Sequence, residues 1–466
     1  MSTTGAEILL ELDRSRPRGL RAQVEEELRA AIRSGRLGPG TSLPSTRALA
    51  ADLGITRGVI VAAYDQLLAE GYLLSRPGSG TVVNATPEAV SARGPKPSAG
   101  ASVMVDFRPG VPDLDLFPRA AWMRATRSAL QTMPSEQLGY IDSRGLPQLR
   151  AALVDYLARV RGVCTDPDCV VICNGFAHGF GLVAKALRET GRDVVAVEDP
   201  GHDGPRGEIT WSGGSYRGIA VDDDGIVVDE LRRSRARVAV VTPAHQMPTG
   251  AVLSASRRSA LAAWARDVDG YVIEDDYDAE YRYDRHPVGA LQGVAPDRVI
   301  YCGTLSKSLA PGLRLGWLVL PHELVEPIIT RRRANDSATA SIAQAAYAKF
   351  VSTGDLDRHL RRTRRIYRQR RDALVAALAR WLPDATPGGI AAGLTILVTL
   401  PHDVREAVVE ERALAAGVRV YPLGSYRTKR DDAMSPGLVL GYGQLSPAKI
   451  EQGVRLLAEA VSGARR

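Results

Sequence analysis

The fold is decided by residues 271–317, which read YVIEDDYDAEYRYDRHPVGALQGVAPDRVIYCGTLSKSLAPGLRLGW. This stretch contains two short apolar runs, 271–273 and 299–301, and polar residues follow each of them. Apolar runs bounded by Gly, Asp and Ser predict buried parallel strands, and ligands bind beyond the carboxyl ends of such strands. We therefore expect a ligand site where these two strands end.

Lys307 is the most informative residue of this stretch. The chain contains six lysines among its 60 Lys and Arg residues, and Lys307 lies between Ser306 and Ser308 after the second apolar run. A lysine amine can lose its proton and form an imine, whereas an arginine cannot. A solvated surface lysine is the ordinary alternative. The position after a buried strand and the acidic residues Asp275 and Asp276 upstream favour a reactive amine.

The length and composition are those of a globular protein with more than one domain. With 466 residues, 45% of them hydrophobic and 24% charged, we expect two or three domains. No apolar run approaches the roughly 20 residues that cross a bilayer, and the N-terminus lacks the features of a signal peptide. The four cysteines, Cys164, Cys169, Cys173 and Cys302, match no common zinc motif, even with His178. We expect reduced thiols, no metal site and a cytoplasmic location.

Residues 1–85 show the pattern of a small DNA-binding domain. Apolar residues recur at helical spacing over residues 20–31, and two further helices are expected to begin at Ser45 and Thr56. Two helices joined by a short turn that contains glycine predict a helix-turn-helix. Two apolar runs after residue 71 flank a glycine-rich tip, which predicts a two-stranded wing.

The run LPSTRALAADLGITRGVIVAAYDQLLAEGYLLSRPGSGTVV, residues 43–83, resembles the winged helix-turn-helix of GntR-type transcription regulators. The resemblance implies that six residues contact operator DNA: Arg47 and Arg57 face the DNA, Ser45 and Thr56 hold phosphates at helix N-termini, and Ser79 and Gly80 enter the minor groove. Residues 1–90 contain ten arginines and ten acidic residues, so this prediction depends on pattern and not on net charge. A winged helix used only for protein contact is the alternative.

A second, larger domain is predicted after a linker. Residues 86–104 are rich in Ala, Pro, Gly and Ser without apolar periodicity, which indicates a flexible linker. Over residues 105–466, apolar strands alternate with helix-like segments, which predicts an α/β fold with a mostly parallel sheet. Residues 174–178 lie at a strand-to-helix turn, where backbone N–H groups can hold a phosphate, although an ordinary turn is the alternative.

Residues 105–466 resemble the pyridoxal-phosphate enzymes of the aspartate aminotransferase fold, fold type I. The resemblance implies that Lys307 forms an imine with the aldehyde of pyridoxal 5'-phosphate. It also implies that Asp275 keeps the pyridine nitrogen protonated, which makes the ring an electron sink. The other implied cofactor contacts are Tyr277 at the phenolic oxygen, His202 stacked on the ring, Thr304, Ser306, Arg314, Gly175, Phe176 and Ala177 around the phosphate, and Tyr140 at the phosphate of the partner in a homodimer.

Two departures from the aminotransferase pattern concern the ring and the substrate carboxylate. Met247 occupies the place of an asparagine before Pro-Thr-Gly, so one hydrogen bond to the ring is absent or comes from His245 or Gln246. The strand predicted over residues 437–442 lacks the arginine that binds the substrate carboxylate in aminotransferases. Two arginines near that strand are candidates to replace it: Arg427 and Arg430.

The chain as a whole resembles the MocR/GabR-type transcription regulators, including HQMPTG, EDDYDAEYRY and GTLSKSLAPGLRLGW. The resemblance implies a dimeric, cytoplasmic regulator that binds operator DNA and senses a small effector through the Lys307 imine. The missing carboxylate arginine, and Gly204 where γ-aminobutyrate-responsive relatives have an arginine, favour pyridoxal phosphate itself as the signal; an amino acid or amine stays open. An active aminotransferase with an appended DNA-binding module and a repressor with an inactive scaffold are the alternatives.

One further segment, residues 357–372, is rich in arginine. It contains eight arginines within sixteen residues, in a pattern that predicts a helix. A solvated helix face with arginines paired to acidic neighbours is one interpretation, and a second DNA-contacting surface is the other.

Overall fold

The chain forms two compact units, one within residues 1–100 and the other within residues 101–466. The computed structural model describes Leu10 and residues 12–13, 19–76, 80–84, 103–283, 288–429 and 435–465. Of the predicted linker, only Val103 and Met104 lie within these described residues. No helix of the described part of the chain is long and apolar enough to cross a membrane.

The small unit has three helices and a two-stranded wing, in the order predicted. Its elements are α1 (Leu20–Arg33), α2 (Thr46–Asp52), α3 (Arg57–Ala69), β1 (Leu73–Arg76) and β2 (Gly80–Val83). The two strands pair in antiparallel fashion. Ser45 begins α2 as expected, because its Oγ accepts a hydrogen bond from the Ala48 backbone N–H at 3.2 Å.

The small unit is stabilised by one apolar core between its three helices. Side chains of all three helices and of β1 contribute to it, including the fully buried Leu28, Leu49, Ile60, Leu67 and Leu73. Burying one such side chain stabilises a protein by about 1.5–3 kcal/mol. The core therefore fixes α2 and α3 relative to each other, as a helix-turn-helix requires.

The large unit alternates strands and helices. Its helices are α4 (Arg119–Thr132), α5 (Pro147–Arg161), α6 (Phe176–Glu189), α7 (Gly204–Trp211), α8 (Val228–Arg233), α9 (Ala255–Asp267), α10 (His322–Asn335), α11 (Ser341–Ser352), α12 (Asp355–Trp381), α13 (Glu406–Ala415) and α14 (Pro447–Ser462). Its strands are β3 (Val105–Asp106), β4 (Val170–Cys173), β5 (Val194–Asp199), β6 (Ser215–Asp222), β7 (Gly225–Ile226), β8 (Val238–Val241), β9 (Tyr271–Asp276), β10 (Val299–Thr304), β11 (Gly316–Val319), β12 (Thr386–Pro387), β13 (Thr395–Thr399), β14 (Val418–Arg419) and β15 (Gly437–Gly441).

Eight of these strands form one sheet, in the order β4-β11-β10-β9-β8-β5-β6-β7. Strands β10, β9, β8, β5 and β6 run parallel to one another, whereas β11 and β7 pair with this group in antiparallel fashion. The prediction of a mostly parallel sheet is confirmed. A smaller antiparallel sheet contains β12, β13 and β15, and β14 pairs with β3.

Helices cover both faces of the large sheet. Side chains of β4 show this directly, because Val171 and Cys173 belong to one apolar cluster and Val170 and Ile172 to another on the opposite face. Successive side chains of a strand point to opposite faces, so a sheet covered on both sides needs continuous apolar runs. This explains why the central strands lack apolar–polar alternation.

The structure corrects the predicted ends of the two central strands. Strand β9 continues beyond residue 273 to Asp276, and β10 continues beyond residue 301 to Thr304. Glu274, Asp275 and Asp276 therefore lie inside a strand, and all three are buried. A row of carboxylates usually marks a strand end, since burying a charge without a partner is costly.

Two of the three carboxylates have partners that make their burial tolerable. Glu274 accepts hydrogen bonds from the backbone N–H groups of Leu291 and Gln292, both at 2.9 Å. Asp276 accepts one from Arg161 Nε at 2.7 Å. Burial raises the pKa of Glu274 to about 7. Asp275, between them, faces the site described next.

Candidate functional site

The carboxyl ends of β9 and β10 lie side by side and open into one cavity. The two strands are parallel, with Asp275 opposite Cys302. The cavity has a volume of about 560 Å³, within the range typical of small-molecule sites. Seven residues predicted from the sequence line it: Phe176, His202, Asp275, Tyr277, Thr304, Ser306 and Lys307.

Lys307 presents its amine to this cavity. Burial lowers the pKa of Lys307 below its ordinary value, against the opposing charges of Asp275 and Asp278. A lowered pKa increases the neutral fraction of the amine, which is the nucleophilic form. A Cβ built on Gly110 would lie 3.3 Å from Lys307 Nζ, so the bare backbone at Gly110 passes directly against the amine.

Asp275 has a buried oxygen that lacks a partner. Its Oδ1 makes no hydrogen bond with any residue that the structure describes. Burial, reinforced by the adjacent charge of Asp276, raises the pKa of Asp275 well above its usual range, although Lys307 opposes this. An unpaired buried carboxyl group costs free energy unless a donor or cation approaches it. The cavity is the place from which such a group can come.

The N-terminus of α6 and the Arg314 guanidinium lie together at one side of the site. Gly175 precedes α6 with φ +88°, and a Cβ there would lie 3.4 Å from Arg314 Nη1. Thr304 Oγ1 and Ser306 Oγ are 2.9 Å apart. Helix N-termini, hydroxyls and guanidinium groups are the donors that hold phosphates.

Three of the residues expected around the phosphate are not on the cavity wall. Gly175, Ala177 and Arg314 lie beside the wall, and Arg314 Nη2 donates to the Asn174 carbonyl at 2.6 Å. Phe176, Thr304 and Ser306 do line the cavity.

The loop before the cis Met247–Pro248 bond supplies Thr242 and Met247 to the cavity wall, and not His245 or Gln246. Gln246 Nε2 donates to Glu198 Oε2 at 3.1 Å, and His245 Nδ1 lies 3.0 Å from Asp278 Oδ2. Neither of the two suggested substitutes for the asparagine therefore faces the cavity.

Tyr277 lines the cavity with its hydroxyl turned to a backbone group. It donates to the His245 carbonyl at 3.0 Å. Tyr277 also packs against an apolar cluster of Met247, Leu423 and Val439. Val439 lies in β15, where aminotransferases are expected to place their carboxylate arginine. Met247, which stands in place of an asparagine, and Val439, which lies in the strand that lacks the arginine, thus belong to one apolar cluster.

His202 has room in the site because residue 204 is a glycine. A Cβ on Gly204 would lie 2.7 Å from His202 Cε1. The segment that carries His202 is also tied to the segment around Tyr426, since the Gly201 N–H donates to the Tyr426 carbonyl at 2.9 Å. Arg206 Nη1 donates to the Arg427 carbonyl at 2.7 Å. His202 and Tyr426 therefore form connected walls of the cavity.

Eight cavity residues were not predicted from the sequence: Asp203 and Thr242, and a group of six from two distant segments, Arg108, Pro109, Gly110, Arg419, Tyr421 and Tyr426. These six come from segments more than 300 residues apart, which the pairing of the two-residue strands β3 and β14 brings together. Strands this short leave no periodic signal in the sequence. Arg427 and Arg430 were the candidates to replace the carboxylate arginine. Arg427 donates to the Ser435 carbonyl and does not line the cavity. Arg430 lies outside the described residues.

Tyr140 is fully exposed and does not line the cavity of its own chain. Three large apolar side chains in the same part of the chain are also exposed: Met123, Leu130 and Leu138. Exposed apolar side chains that cluster along one segment are typical of protein–protein contact surfaces.

The residues predicted to contact DNA are on the surface of the small unit. Ser45, Arg47, Thr56, Arg57 and Gly80 are all exposed. Arg57 is the first residue of α3, and Thr56 makes no side-chain capping hydrogen bond there. The Ser45 hydroxyl accepts from the Ala48 N–H, so it caps α2. Ser79 lies outside the described residues.

The arginine-rich segment lies in α12, and its arginines differ in their exposure and in their partners. Arg364 donates to the Glu280 carbonyl, and Arg370 pairs with Asp113 at 2.6 Å. Five others are exposed: Arg358, Arg361, Arg362, Arg365 and Arg368. Both the structural and the DNA-contact interpretation therefore stay open.

Comparison with protein families matches each unit separately. Residues 20–83 match the model of bacterial regulatory proteins of the gntR family. Residues 103–432 match the model of aminotransferase class I and II. The large unit is also similar to solved aminotransferases. These include the Pyrococcus horikoshii kynurenine aminotransferase (26% identity, TM-score 0.71, 78% of this chain and 91% of that one) and Thermus thermophilus LysN, an α-aminoadipate aminotransferase (25%, 0.69, 78% and 93%).

Full-length relatives combine the same two parts. The chain is 34% identical to the "Probable rhizopine catabolism regulatory protein MocR" of Rhizobium meliloti, over 97% of this chain and 96% of that protein. It is 32% identical to the HTH-type pyridoxine biosynthesis transcriptional regulator PdxR of Corynebacterium glutamicum, over 98% and 99%. The chain belongs to the MocR-type transcription regulators, in which a GntR-family DNA-binding domain is joined to an aminotransferase-fold domain that binds pyridoxal phosphate.

The residues of the cavity fit this cofactor. Its pyridine nitrogen needs a carboxylate, and Asp275 offers a buried oxygen without a described partner. Its aldehyde needs a neutral amine, and burial lowers the pKa of Lys307. Its phosphate needs donors, which the start of α6, Thr304, Ser306 and the nearby Arg314 supply.

Replacing Lys307 tests its place in this site. We expect Lys307→Ala to abolish the near-visible absorption band of protein incubated with pyridoxal phosphate, because no amine remains to link the aldehyde. Lys449→Ala is the matched control, since Lys449 is exposed in the first turn of α14 and should keep the band. A band of unchanged intensity in Lys307→Ala would show that the cofactor is held elsewhere.

Proposed function

We propose that the Lys307 cavity is an effector sensor that controls operator binding by a homodimer in the cytoplasm. The observation that carries this proposal is that Lys307 and Asp275, whose Oδ1 has no described partner, both line one cavity. That site belongs to a chain whose first unit is a GntR-family domain. The cofactor chemistry is thus linked to DNA binding and not to a separate enzyme.

The residues of the cavity have distinct proposed roles. Bound pyridoxal phosphate supplies an aldehyde that reacts with primary amines. Lys307 provides the amine that retains it, and Asp275 holds the proton on the pyridine nitrogen. His202 and Phe176 exclude water from the ring. Tyr277 can turn its hydroxyl from the His245 carbonyl to the phenolic oxygen of the ring.

The phosphate of the cofactor is proposed to bind to hydroxyl, backbone N–H and guanidinium donors that lie close together. Thr304 and Ser306 offer hydroxyls on the cavity wall, and the backbone N–H groups of residues 175–177 offer the start of α6. Arg314 lies against Gly175 and would add charge. A glycine at 175 matters here, because a side chain would separate the guanidinium from the helix start.

Dimerisation is supported by the surface around Tyr140. Tyr140 is fully exposed and lies after a segment with exposed Met123, Leu130 and Leu138. Covering these side chains with a second copy would remove apolar area from water. In this arrangement Tyr140 would reach the phosphate of the partner's cofactor, as the fold resemblance implies.

Sensing requires two states with different effector affinity. A ligand that binds both states equally shifts no equilibrium, whatever its affinity. We therefore propose that the effector contacts cavity residues that come from segments far apart in the chain. His202, Tyr426 and Arg419 meet this condition, since they approach the cavity from different strands and loops.

The alternative is an active aminotransferase with an appended DNA-binding unit. The apolar cluster of Met247 and Val439 counts against it, because β15, the strand expected to carry the arginine for the substrate carboxylate, contributes a buried apolar side chain to this cluster. Burying a carboxylate against apolar side chains without a donor is costly. Turnover of ordinary amino acids should therefore be poor.

The sensor and the enzyme make different predictions for one experiment. Operator affinity and turnover are measured on the same protein with pyridoxal phosphate, at one fixed salt concentration. We expect free cofactor or at least one amine to change operator affinity by about fivefold or more, with turnover slower than about 1 per second. Turnover of an amino acid and keto acid pair at or above that rate, with unchanged operator affinity, would establish the enzyme instead.

The DNA-contact residues can be tested on the small unit within the full chain. We expect Arg57→Ala to weaken operator binding by about 1–3 kcal/mol, the range for loss of an arginine contact to a base. Arg21→Ala is the matched control, because Arg21 is an exposed arginine of α1 that pairs with Glu25 at 2.7 Å. Equal losses in the two variants, measured by fluorescence anisotropy, would refute a specific role for Arg57.

A further inference from the structure

Two arginines at the cavity are placed there by the shortest strand pair of the large unit. Arg419 of β14 lies opposite Asp106 of β3. The ladder continues one residue further, because the Phe107 N–H donates to the Arg419 carbonyl at 3.0 Å. Side chains alternate along a strand, so Asp106 and Arg108 share one face with Arg419 and Tyr421.

These four side chains form a connected cluster, which we call the Arg108–Arg419 cluster. Arg108 Nε donates to the Tyr421 hydroxyl at 3.2 Å, and that hydroxyl donates to Asp106 Oδ1 at 3.0 Å. Asp106 Oδ2 lies 3.4 Å from Arg108 Nη2 and 3.9 Å from Arg419 Nη1. One carboxylate thus orients both guanidinium groups.

The Arg108–Arg419 cluster carries an excess positive charge at the cavity. Two guanidinium groups share the single carboxylate of Asp106, and about half of each arginine side chain is exposed: 52% for Arg108 and 44% for Arg419. A guanidinium has five N–H donors in a fixed planar array that suits carboxylates and similar anions. The contacts to Asp106 and Tyr421 use a minority of these donors.

The same segment of chain connects the cluster to the reactive amine. Gly110 is two residues beyond Arg108, and its backbone lies against Lys307 Nζ, as the 3.3 Å approach of a built Cβ shows. Arg108, Gly110, Lys307 and Arg419 line one cavity. A small ligand can therefore contact the amine site and the arginines at the same time.

Other parts of the wall are unsuited to an anionic group. Met247 lies on the wall within the apolar cluster that buries Val439. Asp203 also lines the cavity and is itself negatively charged. Arg427 is directed to the Ser435 carbonyl at 2.9 Å. Among the described residues, the Arg108–Arg419 cluster is thus the best donor set for an anion on an amine ligand.

We propose that Arg108 and Arg419 bind the anionic group of the effector, a primary amine that carries a carboxylate or the geometrically similar sulfonate. This inference rests on the proposed function, since it assumes that an effector enters the Lys307 cavity. The anion of the effector pairs with the two guanidinium groups, and its amine lies at the Lys307 end of the cavity, where bound pyridoxal phosphate would supply an aldehyde. The anion is then bound by Arg108, which follows β3, and by Arg419 of β14, and not by β15, where Val439 is apolar.

The test uses matched amines on the full chain loaded with pyridoxal phosphate. A series of ω-amino acids of increasing length is compared with the primary amines that lack the carboxylate, and the absorbance change of the cofactor gives each affinity. We expect at least one amino acid to bind about tenfold or more tightly than its matched amine, the effect of one charge-assisted hydrogen bond. No preference at any length would overturn the proposal.

Variants assign the preference to particular arginines. The double variant Arg108→Gln, Arg419→Gln should lose the preference, and the charge-preserving double variant Arg108→Lys, Arg419→Lys should keep part of it. An unaltered cofactor spectrum shows that each variant is folded. Loss of the preference in Arg427→Gln, and not in the double glutamine variant, would contradict the proposal.

Two further outcomes distinguish an effector site from a site for the cofactor phosphate, and distinguish failure of this inference from failure of the proposed sensor function. If the double glutamine variant binds pyridoxal phosphate more weakly but keeps its preference among amines, the cluster serves the cofactor phosphate and the proposal is overturned. If the carboxylate preference depends on the arginines but no amine changes operator affinity, the cluster is upheld as a binding site. In that case it is the proposed sensor function that fails.

Discussion

The large unit depends on how it tolerates three consecutive buried carboxylates in β9. Glu274 is compensated by two backbone N–H groups and Asp276 by Arg161. Asp275 has one oxygen without a described partner, and the positive charge of Lys307 acts to lower its pKa against the effect of burial. Removing one partner of a buried ion pair costs about 3–5 kcal/mol. The buried carboxyl group of Asp275 at the cavity would therefore be stabilised by a further positive charge or hydrogen-bond donor.

The incomplete compensation of Asp275 gives a physical reason for cofactor binding by this domain. A protonated pyridine ring can satisfy Asp275, and its aldehyde lies within the chemistry available to Lys307. The large unit shares its fold with solved aminotransferases. In this chain, Met247 of the cavity wall shares an apolar cluster with Val439 of β15, and Arg108, two residues after β3, lines the same cavity as Arg419 of β14.

Local structure could be predicted from the sequence, whereas contacts between charged residues far apart in the chain could not. The alternation of strands and helices, the Ser45 cap and the order of the small unit could be predicted from patterns that span a few residues. The end of β9 was predicted too early, because Arg161 lies more than a hundred residues before its partner Asp276. Arg108 and Arg419 were missed for the same reason, since their meeting depends on two strands of two residues each. The placement of Tyr140 against a partner stays a prediction, because one chain cannot supply the surface it would contact.

The central claim is that the Lys307 site and operator binding are coupled. It is tested most directly by measuring operator affinity with and without pyridoxal phosphate, at one salt concentration, for the wild type and for Lys307→Ala. We predict that the cofactor changes the affinity of the wild type by about fivefold or more, the usual scale of coupling between two sites. We predict little or no change for Lys307→Ala. An equal response of the two proteins, or none in the wild type, would contradict it.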